Sequence, residues 1–154
     1  MRRVKIGDII EITTSKGLAY AQYTHRHKQY SALIRVLEGL FESRPKDFAT
    51  LVKQRHRFVT FVPLQAAVNR EIFSIVGNEE VPEEAKEFPI FRAGVIDQET
   101  MKVATWWLWD GEKEWRIGEL TPEQRSFPIA SVWTPVALVQ RIESGWTPET
   151  DPFT

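Results

Sequence analysis

The feature that most constrains the fold is residues 105–116, which read TWWLWDGEKEWR and contain four of the six tryptophans of the chain. An Asp-Gly pair between two runs of aromatic residues is typical of a β-hairpin. Its turn can have two lengths. A two-residue turn would place Trp109 opposite Glu112, whereas a four-residue loop from Asp110 to Lys113 would place Trp109 opposite Glu114. The residues alone leave both registers open.

One face of this hairpin is predicted to belong to the core. Successive residues of a strand point to opposite sides, so Trp106 and Leu108 share one face of the first strand. Trp115 in the second strand lies opposite Trp106 if the turn has two residues, and opposite Leu108 if the loop has four. Because a buried tryptophan removes about 150–250 Å² from water, we expect Trp106, Leu108 and Trp115 to pack in the core.

The opposite face of the hairpin is the candidate binding site. It would carry Trp107 and Trp109, together with Glu112 and Glu114 from the turn and the second strand. Indole rings offer a large contact area, and carboxylates select a cation or a hydroxyl group. The alternative also stays open: the rings can serve packing alone, and the glutamates can be a solvated pair beside a tight turn.

The rest of the sequence alternates strand patterns with turn residues. Apolar and β-branched runs at the start of the chain predict a hairpin and a third strand in an antiparallel meander. Two short helical patterns follow, and a third helix is marked by Thr134 as N-cap, Pro135 in its first turn and Gly145 as its end. Because helices do not alternate regularly with strands, the order predicts an α+β fold, mainly antiparallel β. We expect a curled sheet or partial barrel with two or three short helices.

The length of the chain favours a single domain over residues 1–154. The one linker-like stretch, residues 77–89, contains five glutamates and two prolines, and a break there would leave two pieces with too little core. We therefore predict that it is an exposed acidic loop within the domain. The C-terminal tail, residues 147–154, is predicted to be extended.

Composition excludes several classes of function. The chain has no cysteine, which rules out disulfides and thiolate catalysis, and no run of about 20 apolar residues that would cross a membrane. We therefore expect a cytoplasmic protein that does not bind membranes. Residues 1–76 have a net charge of +7 and residues 77–154 a net charge of -8. With a pI near 6.3, nucleic acid is not an expected partner. The sequence predicts no particular oligomeric state.

A pair of histidines in YTHRHKQY, His25 and His27, could bind a metal from one face of a strand, which Tyr23 would share. A catalytic site would need a third ligand, from His56 or from a carboxylate such as Glu11, Asp47 or Glu71, but no metal-binding motif supplies one. Basic residues between the histidines favour a positively charged strand end instead. We therefore predict no metal and no cofactor, and keep His25 and His27 as the only candidate ligands.

Several short patterns resemble the bacterial immunity protein 26 family, which is grouped with a small phosphotriesterase. They are KIGDII at residues 5–10, GLAYAQY at 17–23, FPIFRAG at 88–94, WLWDGEKEWRIG at 107–118 and GW at 145–146. The resemblance covers most of the chain and implies a compact, mostly β protein from bacteria with polymorphic toxins, which binds a cognate toxin and neutralises it. It transfers no catalytic residue to this sequence.

Three hypotheses for the function follow. The first, which we favour, is a non-enzymatic immunity-type protein that interacts with a toxin. The second is a small phosphoester hydrolase, metal-assisted through His25, His27 and a carboxylate. The third is a small-ligand binder with Trp107 and Trp109 as an aromatic platform. The chain has no G-x-S-x-G motif and no glycine-rich phosphate loop, and both absences favour a binding protein over an enzyme.

Overall fold

The computed structural model describes residues 2–154 and separates into two compact units. Unit 1 comprises residues 2–87 together with Val132–Gly145, and unit 2 comprises Phe88–Ser131 together with Trp146–Thr154. Both contain antiparallel sheets, and the three α-helices lie in unit 1. The sequence prediction of an α+β fold, mainly antiparallel β, is confirmed, and within residues 2–154 the sheets stay open rather than closing into barrels.

Unit 1 is built on a five-stranded antiparallel sheet. Its strands are β1 Asp8–Thr14, β2 Gly17–His27, β3 Ser31–Leu37, β4 His56–Val62 and β5 Phe73–Asn78. They lie in the order β4-β3-β2-β1-β5. The first three strands form the predicted meander, because Gly17 adopts a positive φ of 128° that lets the chain reverse after β1.

Three short helices accompany this sheet: α1 Phe48–Val52, α2 Leu64–Asn69 and α3 Pro135–Ser144. The Asp47 carboxylate caps α1 by accepting from the Thr50 amide at 3.0 Å, so that Leu51 and Val52 pack against Tyr20 in the core. The ends of α3 are as predicted. The Thr134 hydroxyl accepts from the Ala137 amide at 3.1 Å, and Gly145 ends the helix in the left-handed conformation.

Unit 2 contains shorter strands. A three-stranded sheet has the order β10-β9-β6, and a two-stranded ribbon pairs β7 with β8. Gly94 allows the close approach of another side chain, because a Cβ at this position would lie 2.3 Å from Val103 Cγ1. The strands are β6 Phe91–Ala93, β7 Ile96–Asp97, β8 Lys102–Val103, β9 Trp106–Trp109 and β10 Glu114–Gly118.

The acidic loop and the tail differ in how far they match the prediction. Most of residues 77–89 are exposed or half-buried, but Val81 is buried and Glu83–Ala85 form a 3₁₀ turn. The tail is not extended: Pro148–Thr150 form a 3₁₀ helix and Pro148 is buried. Its conformation is fixed locally because the Thr150 hydroxyl accepts from the Thr147 amide at 3.0 Å.

None of the helices within residues 2–154 is long and apolar enough to cross a membrane. The longest, α3, has ten residues.

Candidate functional site

The tryptophan hairpin adopts the register of the four-residue loop. Trp109 pairs with Glu114 and Trp107 with Arg116, so the alternative two-residue turn is wrong. The Asp110 side chain selects this loop, because its Oδ1 accepts from the amides of Lys113 at 2.9 Å and Glu112 at 3.0 Å. The same two hydrogen bonds lower the pKa of the Asp110 carboxyl below its usual value, and the bond from the Lys113 amide has the larger effect.

The predicted core face of the hairpin is only partly correct. Trp106 and Leu108 are buried, as expected, but Trp115 is 39% exposed and its assignment to the core is wrong. Trp115 does lie opposite Leu108 in the ladder. It belongs to β10, however, which is an outer strand of its sheet, so its ring has a strand neighbour on one side only.

Sequence reasoning missed the residue that supports this face from the neighbouring strand. Arg92 in β6 pairs with Leu108, is fully buried, and places its guanidinium carbon 4.8 Å from the centre of the Trp106 ring. Such a contact combines cation–π attraction with packing. The one signal in the sequence is an arginine flanked by Phe91 and Ala93 within a strand pattern.

On the other face, Trp109 is half-buried in an aromatic cluster. Its ring centre lies 5.7 Å from that of Phe88 and 5.3 Å from that of Phe91. Phe88 also contacts the turn, where a Cβ on Gly111 would lie 2.8 Å from its ring. These edge and tilted contacts are the geometry that aromatic pairs prefer. Trp109 therefore fixes the hairpin and is not a free platform for a ligand.

Trp107 is the exposed member of the pair. It is 38% exposed and lies in the central strand of the sheet, between Ala93 on one neighbouring strand and Arg116 on the other. Residues directly opposite each other in a ladder share a face. We define the Trp107 face as Phe91, Ala93, Trp107, Trp109, Glu114 and Arg116.

The structure thus brings three of the four predicted binding residues onto one face: Trp107, Trp109 and Glu114. Glu112 instead lies in the turn, where its amide is bound by Asp110 and its side chain is exposed. Arg116 lies opposite Trp107, and sequence reasoning did not include it in the site. In the register of the two-residue turn, Glu114 would have taken this position. The face therefore carries an exposed indole opposite a guanidinium, with a carboxylate two residues away from that guanidinium on the same strand.

His25 and His27 share a face of β2, as predicted, since they pair with Leu33 and Ser31 of β3. A β-bulge at Thr24 shifts the alternation, so Tyr23 lies on the other face and its predicted place beside them is wrong.

Both imidazoles already have hydrogen-bond partners. His25 Nε2 lies 2.7 Å from the Lys86 carbonyl oxygen, and His27 Nδ1 accepts from the Gln29 amide at 3.1 Å. His56 is partly buried at the start of β4, and burial lowers its pKa. Across residues 2–154, no three His, Asp or Glu side chains come together as a metal site would require.

Two of the three candidate carboxylates for a third ligand have structural partners, and the third, Glu71, is exposed. Glu11 binds Arg44, and Asp47 caps α1. The Trp107 face thus remains the best-supported site of those predicted, and its side chains can make non-covalent contacts of apolar, cationic and anionic type. The resemblance to the immunity protein 26 family stays a prediction. Comparisons of this chain with protein-family models, with curated proteins and with solved structures find no match.

Proposed function

We propose that this protein is a non-enzymatic, immunity-type binding protein, which binds a cognate bacterial toxin through the Trp107 face and neutralises it. The observation that carries the proposal is the exposure of Trp107, 38% of whose surface stays open to solvent in the central strand of its sheet. Tryptophan and arginine are the residues that most often dominate the binding energy of protein interfaces. Here Trp107 and Arg116 lie directly opposite each other.

The support beneath Trp107 favours tight binding. Its strand is fixed by the buried side chains Trp106 and Leu108 on one face and by the packing of Trp109 on Phe91 on the other. A contact residue that is already held in place loses little conformational entropy when a partner binds. Trp107 can therefore act as a preformed contact.

Charge indicates the kind of surface that the toxin would present. Unit 2 contains 5 Lys and Arg residues against 9 Asp and Glu residues, a net charge of -4. An acidic unit attracts a positively charged partner and increases the rate of association at low salt. The exposed Glu114 would pair with a cation of the toxin and Arg116 with an anion, at the rim of the contact.

The proposal includes action in the cytoplasm. A chain without cysteine needs no oxidising compartment to form disulfides, and it is compatible with the reducing conditions there.

The test is binding to the purified toxin domain encoded by the neighbouring gene, measured by titration calorimetry. We expect Trp107→Ala to weaken binding about 30-fold, the loss of about 2 kcal/mol that defines a dominant interface residue. Trp115→Ala is the matched control, because Trp115 is equally exposed but lies on the opposite face. It should change the affinity less than about 3-fold, an effect of under 1 kcal/mol.

The proposal fails if Trp107→Ala folds and binds as the wild type does, since the exposed indole would then have no part in recognition. It fails equally if the neighbouring gene encodes no toxin domain or if the two purified proteins do not associate.

A further inference from the structure

A cavity of about 500 Å³ opens in unit 1, outside the site described above. Three arginines line it: Arg2 and Arg3 from the N-terminal segment and Arg26 from β2. No aspartate or glutamate belongs to the lining that residues 2–154 provide. Apolar side chains, among them Val4 and Leu64, form other parts of the wall. The cavity is therefore positively charged and partly apolar.

The positive charge of this cavity is largely unpaired. Arg3 and Arg26 are exposed, and neither side chain forms a hydrogen bond or ion pair with another residue in the described part of the chain. The guanidinium of Arg2 lies 3.7 Å from Asp8 Oδ1, which is longer than a hydrogen bond, and its side chain is 53% exposed. The Asp8 carboxylate already accepts from the Lys5 amide at 2.9 Å and from Asn78 Nδ2 at 3.0 Å.

Tyr23 adds a hydrogen-bond donor to the same cavity. The residue is 5% exposed and lines the cavity, and its hydroxyl has no hydrogen-bond partner among residues 2–154. Burial raises the pKa of Tyr23, so the hydroxyl keeps its proton at neutral pH and can donate it. Because Tyr23 lines the cavity, a ligand bound there can accept this hydrogen bond.

The bulge at Thr24 explains why Tyr23 and Arg26 meet. Tyr23 pairs with Ile34 and Arg26 with Ala32, and these partners are two residues apart on one face of β3. In a regular strand, residues three apart would point to opposite sides. The extra residue therefore turns the tyrosine and the arginine towards the same cavity. Bulges often reorient side chains in this way beside functional sites.

We propose that this cavity binds a phosphate monoester, with the guanidinium groups of Arg3, Arg26 and Arg2 around the phosphate oxygens and the Tyr23 hydroxyl donating to one of them. Guanidinium groups match phosphate oxygens in both charge and geometry. A phosphate monoester carries close to two negative charges at neutral pH. It therefore matches the charge of several arginines better than a ligand with a single carboxylate would. Val4 and Leu64 would contact the organic part of the ligand.

The test uses phenyl phosphate as the probe, because it combines a phosphate monoester with an apolar ring. We expect saturable binding in calorimetry, with a Kd below about 1 mM. Arg26→Ala should weaken it at least 10-fold, and Tyr23→Phe, which removes only the hydroxyl, about 5-fold. Arg55→Ala removes an exposed arginine of unit 1 that does not line the cavity, and it should leave the Kd within 2-fold. Phenol, which lacks the phosphate, should not bind.

The source of the phosphate group is distinguished by a second arm with vesicles of phosphatidylcholine containing one fifth phosphatidic acid. Binding of phenyl phosphate without vesicle binding identifies a soluble phosphorylated ligand. Vesicle binding that is lost in Arg26→Ala and retained in Arg55→Ala identifies a lipid headgroup. The proposal is overturned if neither probe binds saturably to the wild type, or if Arg55→Ala weakens binding as much as Arg26→Ala does. Absence of saturable binding to the wild type overturns the proposal even if a variant fails to fold.

Discussion

Each of the two units buries one arginine, and the two arginines differ in how completely their guanidinium groups are hydrogen-bonded. Arg35 in β3 of unit 1 is 3% exposed and Arg92 in β6 of unit 2 is fully buried. Neither has a carboxylate within 4.0 Å among residues 2–154, and burial lowers the pKa of both guanidinium groups. Both donate to main-chain oxygens instead. The cost of burying each charge is therefore offset by hydrogen bonds rather than by an ion pair.

The hydrogen bonds of Arg92 join three segments of unit 2. Its Nε donates to the Phe127 carbonyl at 3.2 Å, Nη1 to the Thr154 hydroxyl at 2.9 Å, and Nη2 to the Pro148 carbonyl. The strands of this unit have only two to five residues. A polar residue thus holds together elements that are too short to form a large apolar core of their own.

Arg35 has a more limited role in unit 1. It donates to the carbonyls of Val52 at 2.9 Å and Gln54 at 2.8 Å, and so attaches the segment that ends α1 to the sheet. Its Nε has no hydrogen-bond partner among residues 2–154. Its strand β3 is an inner strand of the sheet, and the six residues Ala32 to Leu37 are all buried. Unit 1 therefore depends mainly on apolar burial, whereas unit 2 depends on its arginine.

The largest effect is expected for Arg92→Met. The substitution keeps the side-chain length but removes the donor of the Phe127 carbonyl and of the Thr154 hydroxyl, and it leaves the Pro148 carbonyl with only the Asp151 amide at 3.4 Å. We expect it to lower the free energy of unfolding by about 4 kcal/mol. Urea unfolding followed by tryptophan fluorescence measures this loss, because five of the six tryptophans lie in unit 2. Arg125→Met, at an exposed arginine of the same unit, is the control and should stay within about 0.5 kcal/mol of wild type. A loss below 1 kcal/mol for Arg92→Met would contradict the central role of this residue.

Arg35→Met should have a smaller effect of about 2 kcal/mol. The two carbonyls and the Gln22 side chain lose a donor, but the substitution also removes a buried Nε that has no partner. The apolar neighbours in the central sheet can pack against the methionine. Urea unfolding followed by far-UV circular dichroism gives the value. The comparison between the units would be wrong if this variant lost as much stability as Arg92→Met.

The sequence predicts much of unit 1, because its strands and helix ends are specified by local patterns. The meander follows from apolar runs separated by turn residues, and α3 begins at Thr134 and ends at Gly145 as expected. Local patterns fail where one extra residue changes the register. The bulge at Thr24 separates Tyr23 from His25, and no residue type in that stretch announces it.

In unit 2 the candidate site could be predicted only in part. The hairpin and the exposure of Trp107 agree with the alternation of its strand. The assignment of Trp115 to the core failed because the sequence does not tell which strand is at the edge. The partners of Arg92 lie 35 to 62 residues away along the chain, so no short pattern contains them.

The smallest effect on stability is expected when the ion pair of Arg44, an arginine that does have a carboxylate partner, is broken. Arg44 binds Glu11 through two hydrogen bonds, of 2.7 Å and 3.1 Å, and its side chain is 55% exposed. The bond from Arg44 is the main cause that lowers the pKa of Glu11, and a 2.7 Å bond from the Tyr20 hydroxyl adds to it. Exposed ion pairs contribute little to stability, so we expect Glu11→Gln to lower the Tm by only about 2 °C at pH 7.

This difference in Tm should depend on pH in one direction. Because the pKa of Glu11 is lower in the folded chain, the unfolded chain binds more protons as the pH falls below the ordinary glutamate value of about 4.3. The stabilisation is therefore complete above that pH and is lost as the pH falls through the folded-state pKa. Melting curves from pH 7 to pH 3 should show the wild type approaching Glu11→Gln in Tm. Glu42→Gln, at an exposed glutamate, provides the control. A Tm difference that stays constant or widens in acid would mean that the Arg44 bond does not stabilise the ionised form of Glu11.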